Sequence, residues 1–226
     1  MAAILDGPRA GAKTPRQLVV LLHGYGADGK DLISIGAQWS KLLPDAAFVA
    51  PHAPERCAQA PAGRQWFPLT MRDPDERWVG VNAAQPALDA FLDAELERHG
   101  LDDRRLALVG FSQGTMMALH VGLRRRRAPA AIVGFSGLVV NPEELTPMPP
   151  GAAPPVLLTH GSHDDVIPVD ALFMSADGLA EAGVPTQWHL SVGVAHGIDG
   201  GALSHAGLFL AAGFGLRGAR GPATNR

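Results

Sequence analysis

One cysteine, Cys57, is all the thiol that 226 residues contain. A disulfide within the chain is therefore excluded, and a reducing, cytoplasmic setting is expected. Cys57 stands among Pro and Ala residues in an irregular stretch, which suits a bystander thiol better than a nucleophile. Long apolar runs are missing too: none reaches the roughly 18 residues of a membrane span, so no integral membrane association is expected. The opening Met1-Ala-Ala-Ile-Leu-Asp-Gly-Pro is too short in apolar residues for a secretory signal, and Asp6 interrupts it. Charge of either sign is sparse, with 19 Lys and Arg against 22 Asp and Glu. The net −3 gives nucleic acid no electrostatic hold. What remains is a chain 46% hydrophobic, long enough for a full core. It reads as a single domain over residues 1–226, with a loose lead-in over about 1–16 and a flexible tail from about 215.

Apolar segments alternate with amphipathic ones. Leu18–Leu22, Ala47–Ala50, the run from Leu106, Ala131–Phe135, Val156–Thr159 and Thr186–Val192 read as strands. Between them the spacing predicts a helix carrying Leu32, Ile35, Trp39 and Leu42 behind an Asp28 cap, and another over Val81–His99 opened by an Asn82–Gln85 capping box. Further helices are expected after residue 113, over about Val169–Ala182 and over about Ala202–Gly213. This order implies an α/β fold with a mostly parallel sheet covered on both faces, and ligands bind such sheets beyond the carboxyl ends of the strands. The basic run Arg124–Arg127 closes a helix, where the dipole favours cations, and is expected to be a solvated helix end. Residues 51–80 carry no clear period but include the apolar Trp66-Phe67-Pro68-Leu69-Thr70-Met71. Such a stretch either lines an acyl pocket or pins the loop to the body.

The segment Leu106–Leu119 combines strand, tight turn and helix, and its turn Gly110-Phe-Ser-Gln-Gly114 fits G-x-S-x-G. In that nucleophile elbow the serine occupies a strained tip while the glycines let strand and helix approach closely. A serine hydroxyl needs a base to take its proton, and an imidazole base needs an acceptor to fix its tautomer. His196, in a glycine-rich loop after the last strand, is the candidate base for Ser112. His205 is a distant second, His99 and His120 fall in helices, and His160 with His163 forms only a weak metal pattern lacking a third ligand. Spacing alone leaves Asp164, Asp165 and Asp199 open as the acid, with Ser112, Asp164 and His196 obeying the order Ser, acid, His. The glycine-rich loop His23–Gly29 fits no phosphate-loop pattern. The N–H of Tyr25 within it is a candidate oxyanion donor.

Together, Leu22-His-Gly-Tyr-Gly-Ala-Asp-Gly29, Trp66-Phe67, Gly110–Gly114, His160-Gly-x-x-Asp164-x-Val-Ile-Pro168 and Ala195-His196 resemble the phospholipase/carboxylesterase family of α/β hydrolases, which includes acyl-protein thioesterase-like enzymes. The resemblance spans about residues 17–213. It implies the α/β-hydrolase fold, Ser112 as nucleophile, His196 as base, and Asp164 rather than Asp165 as the acid. It further implies oxyanion donors at the N–H of Tyr25 and Gln113, with no cofactor and no metal. Pro68 departs from the Asp that often follows Trp-Phe in relatives. Expected is a serine carboxylester hydrolase whose partner is a small-molecule acyl ester, with Trp66, Phe67, Leu69 and Met71 against a short-to-medium acyl chain. A thioesterase or lysophospholipase using the same residues is the nearest alternative, and a catalytically silent acyl-binding module the alternative of another kind. A homodimer through the aromatic loop is compatible with the sequence.

Overall fold

The computed structural model describes residues 4–70, 73 and 75–216. In chain order the strands are β1 (Arg9–Gly11), β2 (Gln17–Leu22), β3 (Ala46–Val49), β4 (Glu55–Arg56), β5 (Arg64–Gln65), β6 (Leu106–Phe111), β7 (Ala131–Phe135), β8 (Val156–Gly161) and β9 (Thr186–Ser191). The helices are α1 (Gly29–Ile33), α2 (Ile35–Trp39), α3 (Glu76–His99), α4 (Gln113–Gly122), α5 (Asp170–Glu181) and α6 (Gly200–Gly213). Seven strands form one sheet in the order β1-β3-β2-β6-β7-β8-β9. Within this sheet only the β1–β3 pair is antiparallel.

Helices on both faces explain why β2, β6, β7 and β8 read as unbroken apolar runs rather than alternating ones. Every residue of β2 is buried, yet successive side chains serve different cores. Leu18, Val20 and Leu22 join Leu106, Leu108 and Ile132 beneath α3, α4 and α5. Val19 and Leu21 join Ala107, Val109 and Val133 against α2 and α6. Because β2, β6, β7, β8 and β9 run parallel, the loops that follow β2, β6, β8 and β9 all open at one edge of the sheet. This is the α/β-hydrolase architecture that the sequence leads one to expect.

Several local expectations differ from what is found. The lead-in is not loose throughout, since β1 pairs with β3 in the register Arg9↔Val49 to Gly11↔Ala47. The helix after β2 is split at Ser34 into α1 and α2, with Asp28 capping α1 through a bond from the Lys30 N–H. Helix α3 begins at Glu76, and Asn82 and Gln85 lie inside it, where Asn82 Nδ2 donates to Trp78 O and Gln85 to Asp89. Gly80 lies within this helix because the ring of Phe67 presses on it: a Cβ there would sit 2.3 Å from Phe67 Cδ2. The stretch from 51 contains a short β4–β5 ladder, Glu55↔Gln65 and Arg56↔Arg64. Within the basic run only Arg126 and Arg127 are exposed. Arg125 is clasped by the carboxylates of Asp89, Asp93 and Asp103, and Arg124 lies 5.6 Å over the Trp78 ring.

Candidate active site

Ser112 joins β6 to α4 with φ 53° and ψ −117°. A positive φ on a residue with a Cβ costs about 1–3 kcal/mol and persists only where the surroundings impose it. Here they do. A Cβ on Gly110 would lie 2.3 Å from Gly114 O, and one on Gly114 would lie 1.9 Å from Leu22 O. Both glycines are therefore required by backbone contact, at the turn itself and where α4 starts against β2. The Ser112 N–H is used, donating to Phe135 O at 2.9 Å. The Gln113 N–H, at the first position of α4, donates to no group among the described residues.

Past β8, Asp164 is buried, and its Oδ1 accepts the N–H groups of Val166 (3.0 Å) and Ile167 (2.8 Å). Its Oδ2 lies 2.7 Å from His196 Nδ1. A carboxylate can only accept, so this contact puts the imidazole hydrogen on Nδ1 and leaves Nε2 with its lone pair. Burial pushes the Asp164 carboxyl up, but the Ile167 N–H, the His196 imidazole and the Val166 N–H reverse that and hold it below the usual carboxylate value. The His196 ring rests 5.0 Å from the Phe111 ring, immediately before Ser112. Ser136 Oγ donates to Gly197 O at 3.1 Å, tying the same loop to the end of β7. Among the described residues Ser112 Oγ makes no hydrogen bond with His196. Such contacts commonly tighten only when substrate arrives.

The rival residues have other occupations. Asp165 is exposed. Asp199 caps α6, accepting the Ala202 N–H at 2.8 Å and the Ser191 hydroxyl at 2.9 Å. His163 contacts Ser162, and His205 sits in α6 beside Gln187. His160 is buried, with Nε2 2.8 Å from Ile167 O and 3.3 Å from Asp164 Oδ2, so it braces the acid from behind.

Tyr25 follows β2, and its N–H, like that of Gln113, has no partner among the described residues. Burial pushes His23 down and keeps the ring neutral, with Nδ1 2.8 Å from Gly24 O and Nε2 accepting the Ala53 N–H at 2.9 Å. The Trp66 indole donates to His23 O at 2.9 Å. Gln113 completes the frame: its Oε1 accepts the Trp66 N–H at 2.9 Å and its Nε2 donates to Phe67 O at 2.8 Å. The Tyr25 hydroxyl, pushed up to about 12 chiefly by the neighbouring Cys57 thiol, stays protonated and neutral. Sequence reasoning did not reach these positioning roles of His23, His160 and the Gln113 side chain. The only signal was that each is a polar residue inside one of the sequence motifs.

Of the four residues expected to contact an acyl chain, Trp66 and Phe67 are almost wholly buried and help line a cavity of about 760 Å³ against α3. Leu69 is partly buried and packs on the same core, and Met71 lies outside the described residues. A smaller cavity of about 180 Å³ lies beside the elbow, with Gly24, Phe111 and Gly197 in its wall.

A mostly parallel sheet, a strained serine at a strand-to-helix turn and a buried aspartate paired with a partly buried histidine at the same sheet edge together define an α/β-hydrolase. The chain belongs to the phospholipase/carboxylesterase family, whose family model matches residues 9–213. Esterase YpfH of Escherichia coli K12 is 28% identical over 194 residues, covering 86% of this chain and 82% of YpfH. An acyl-protein thioesterase 1 of Neurospora crassa is 28% identical over 196 residues, covering 79% of each. The crystal structure of esterase PE8 superposes with a TM-score of 0.87 at 44% identity, covering 92% of this chain and 98% of PE8. The protein is a hydrolase acting on esters. Among the described residues no helix is long and apolar enough to cross a membrane.

Proposed function

We propose that this protein hydrolyses short-to-medium acyl esters through an acyl-enzyme on Ser112. Ser112 Oγ attacks the carbonyl carbon as its proton passes to His196 Nε2, while the Asp164 carboxylate stabilises the imidazolium. The carbonyl oxygen, now an anion, is held by the N–H groups of Tyr25 and Gln113. Loss of one such donor typically costs 10²–10³ in turnover. His196 then gives its proton to the departing alcohol oxygen as the carbon–oxygen bond breaks. Water enters, loses a proton to the same nitrogen and attacks the acyl carbon. The acid leaves as Ser112 Oγ recovers the proton.

The observation that carries this reading is the 2.7 Å His196–Asp164 contact, with its imidazole against Phe111 at the strained Ser112. Among the described residues the N–H groups of Tyr25 and Gln113 donate to no other group, which suits them to receive an anion. Treatment with a serine-directed fluorophosphonate, followed by intact-mass measurement, tests it. One adduct is expected on the wild type and none on Ser112→Ala. An unmodified wild type, freshly folded, would sink the proposal and favour a silent acyl-binding module. A second reading, thioester hydrolysis, is supported by the relatives named acyl-protein thioesterase 1. Oxyester and thioester share a tetrahedral intermediate, so kcat/KM on a matched pair separates them. A cytoplasmic location is part of the same proposal, resting on the lone, buried Cys57.

A further inference from the structure

We infer that the 180 Å³ cavity beside the elbow is a leaving-group subsite that takes a short, uncharged alcohol, a substrate class that rests on the esterase reading above. Each of the three catalytic loops lends the cavity the residue next to its proposed functional one: Gly24 precedes Tyr25, Phe111 precedes Ser112 and Gly197 follows His196. The cavity adjoins the elbow: Gly24, in its wall, packs so closely there that a Cβ on it would lie 3.0 Å from Phe111 Cδ1 and 3.3 Å from Ser112 Cβ.

Proton transfer decides which half of the ester goes there. The departing oxygen must face His196 to receive its proton, so the alcohol carbon continues on the His196 flank. Phe111, whose ring touches His196, and Gly197 form the wall on that flank. Phe111, Ile198 and Leu32 belong with the core on the α2–α6 face of the sheet. Trp66, Phe67 and Leu69 belong with the core on the α3 face, where the larger cavity lies. Ser112 directly follows β6, whose side chains alternate between these two cores, so the cavities assigned to the acyl chain and the alcohol lie on opposite faces of the sheet.

Size and charge define the class. A dry cavity of about 150 Å³ takes a benzene-sized guest, so 180 Å³ suits an alcohol of up to roughly six carbons. Asp31 is the one charged residue in its lining. Its carboxylate repels an anionic leaving group, and the glycerophosphate head of a lysophospholipid is both anionic and too large.

The test uses the full chain and two ester series. One holds a butanoyl group and lengthens the alcohol from methyl to octyl, with a carboxylate-ended butyl alcohol included. The other holds methanol and lengthens the acyl group. The wild type should gain about fourfold in kcat/KM for each added alcohol methylene, the value of a buried CH₂, until the cavity is full, then fall. The carboxylate-ended alcohol should be disfavoured. Ile198→Ala should move the alcohol optimum to longer chains, and Ala27→Leu, filling the cavity, should move it toward methyl. Neither should change the shape of the acyl profile, and fluorophosphonate labelling of Ser112 confirms that each variant is folded. A flat alcohol profile in the wild type, or variants that shift the acyl series instead, overturns the subsite. Absence of both hydrolysis and Ser112 labelling in the wild type overturns the esterase reading, and the subsite with it.

Discussion

Replacing Gln113 by alanine leaves its backbone N–H in place and removes only the side chain that ties the loop after β5 to the elbow. Two buried main-chain groups, the Trp66 N–H and the Phe67 carbonyl, then lose partners now at 2.9 and 2.8 Å. An orphaned buried group costs about 1–3 kcal/mol, so the loss should total roughly 2–6 kcal/mol. With a urea slope of about 2 kcal/mol per molar, the unfolding midpoint should fall by about 1–3 M. Activity should change by a different route. Freed from Gln113, Trp66 holds His23 O less firmly through its indole, and His23 in turn fixes Gly24 O beside Tyr25. Misplacing the Tyr25 N–H should lower kcat by about 10-fold or more, short of the 10²–10³ of outright donor loss, with KM little altered. Gln113→Glu keeps an acceptor for Trp66 but sets a buried carboxylate against Phe67 O. It should be at least as damaging at neutral pH and should partly recover on acidification, when the carboxyl is protonated and can donate. A Gln113→Ala enzyme with a midpoint within about 0.5 M of wild type and unchanged kcat would refute the coupling.

His120 offers a pH test. Burial, and then the charge of Arg124, push it down to about 4, while in the unfolded chain it titrates near the usual 6.5. The unfolded state therefore binds the extra proton first as pH falls, and the stability that neutral His120 provides is present above about 6.5 and lost by about 4. Urea midpoints of wild type and His120→Gln should converge across that window, and parallel pH profiles would contradict it. Gly114→Ala should drive α4 off β2, since its Cβ would meet Leu22 O at 1.9 Å. Fluorophosphonate labelling of Ser112 should slow at least 10²-fold. Gly100→Ala serves as the control, having a positive φ but open space around it; it should cost about 1 kcal/mol and leave labelling unchanged.

What could be read in the sequence was whatever short-range patterning dictates. The runs that became β2, β6, β7 and β8 are apolar because both sheet faces are covered, and that property needs no knowledge of partners. The elbow was legible as a compact motif: Gly110 answers to Gly114 O within the turn itself, although Gly114 answers to Leu22 O of β2, far away in the chain. Strand β1 was not legible. Its three residues are all exposed, and it exists only because β3 is there to pair with it. The first turn of α3 was obscured by Gly80, whose absent side chain makes room for Phe67, a residue thirteen positions earlier. Arg125 read as a solvated cation because its three carboxylates come from α3 and from the turn before β6, none of them near it in the chain.

The same division runs through the site. Ser112 and His196 stand out as candidates because a nucleophile and its base would have to be particular residue types at particular places, whereas spacing alone leaves Asp164, Asp165 and Asp199 open as the acid. The groups that hold them need only polarity and position, which many residues supply. His160, near the end of β8, and His23, just after β2, look interchangeable as letters, but they do different work. One meets a carboxylate and the Ile167 carbonyl; the other bridges Gly24 O and the Ala53 N–H. The leaving-group cavity is further still from the sequence, because its shape is made of what is missing: no side chain at Gly24, none at Gly197, and a ring at Phe111 turned against His196. Chemistry that requires a residue leaves a trace in the letters. Specificity that requires a space between residues has to be found in three dimensions.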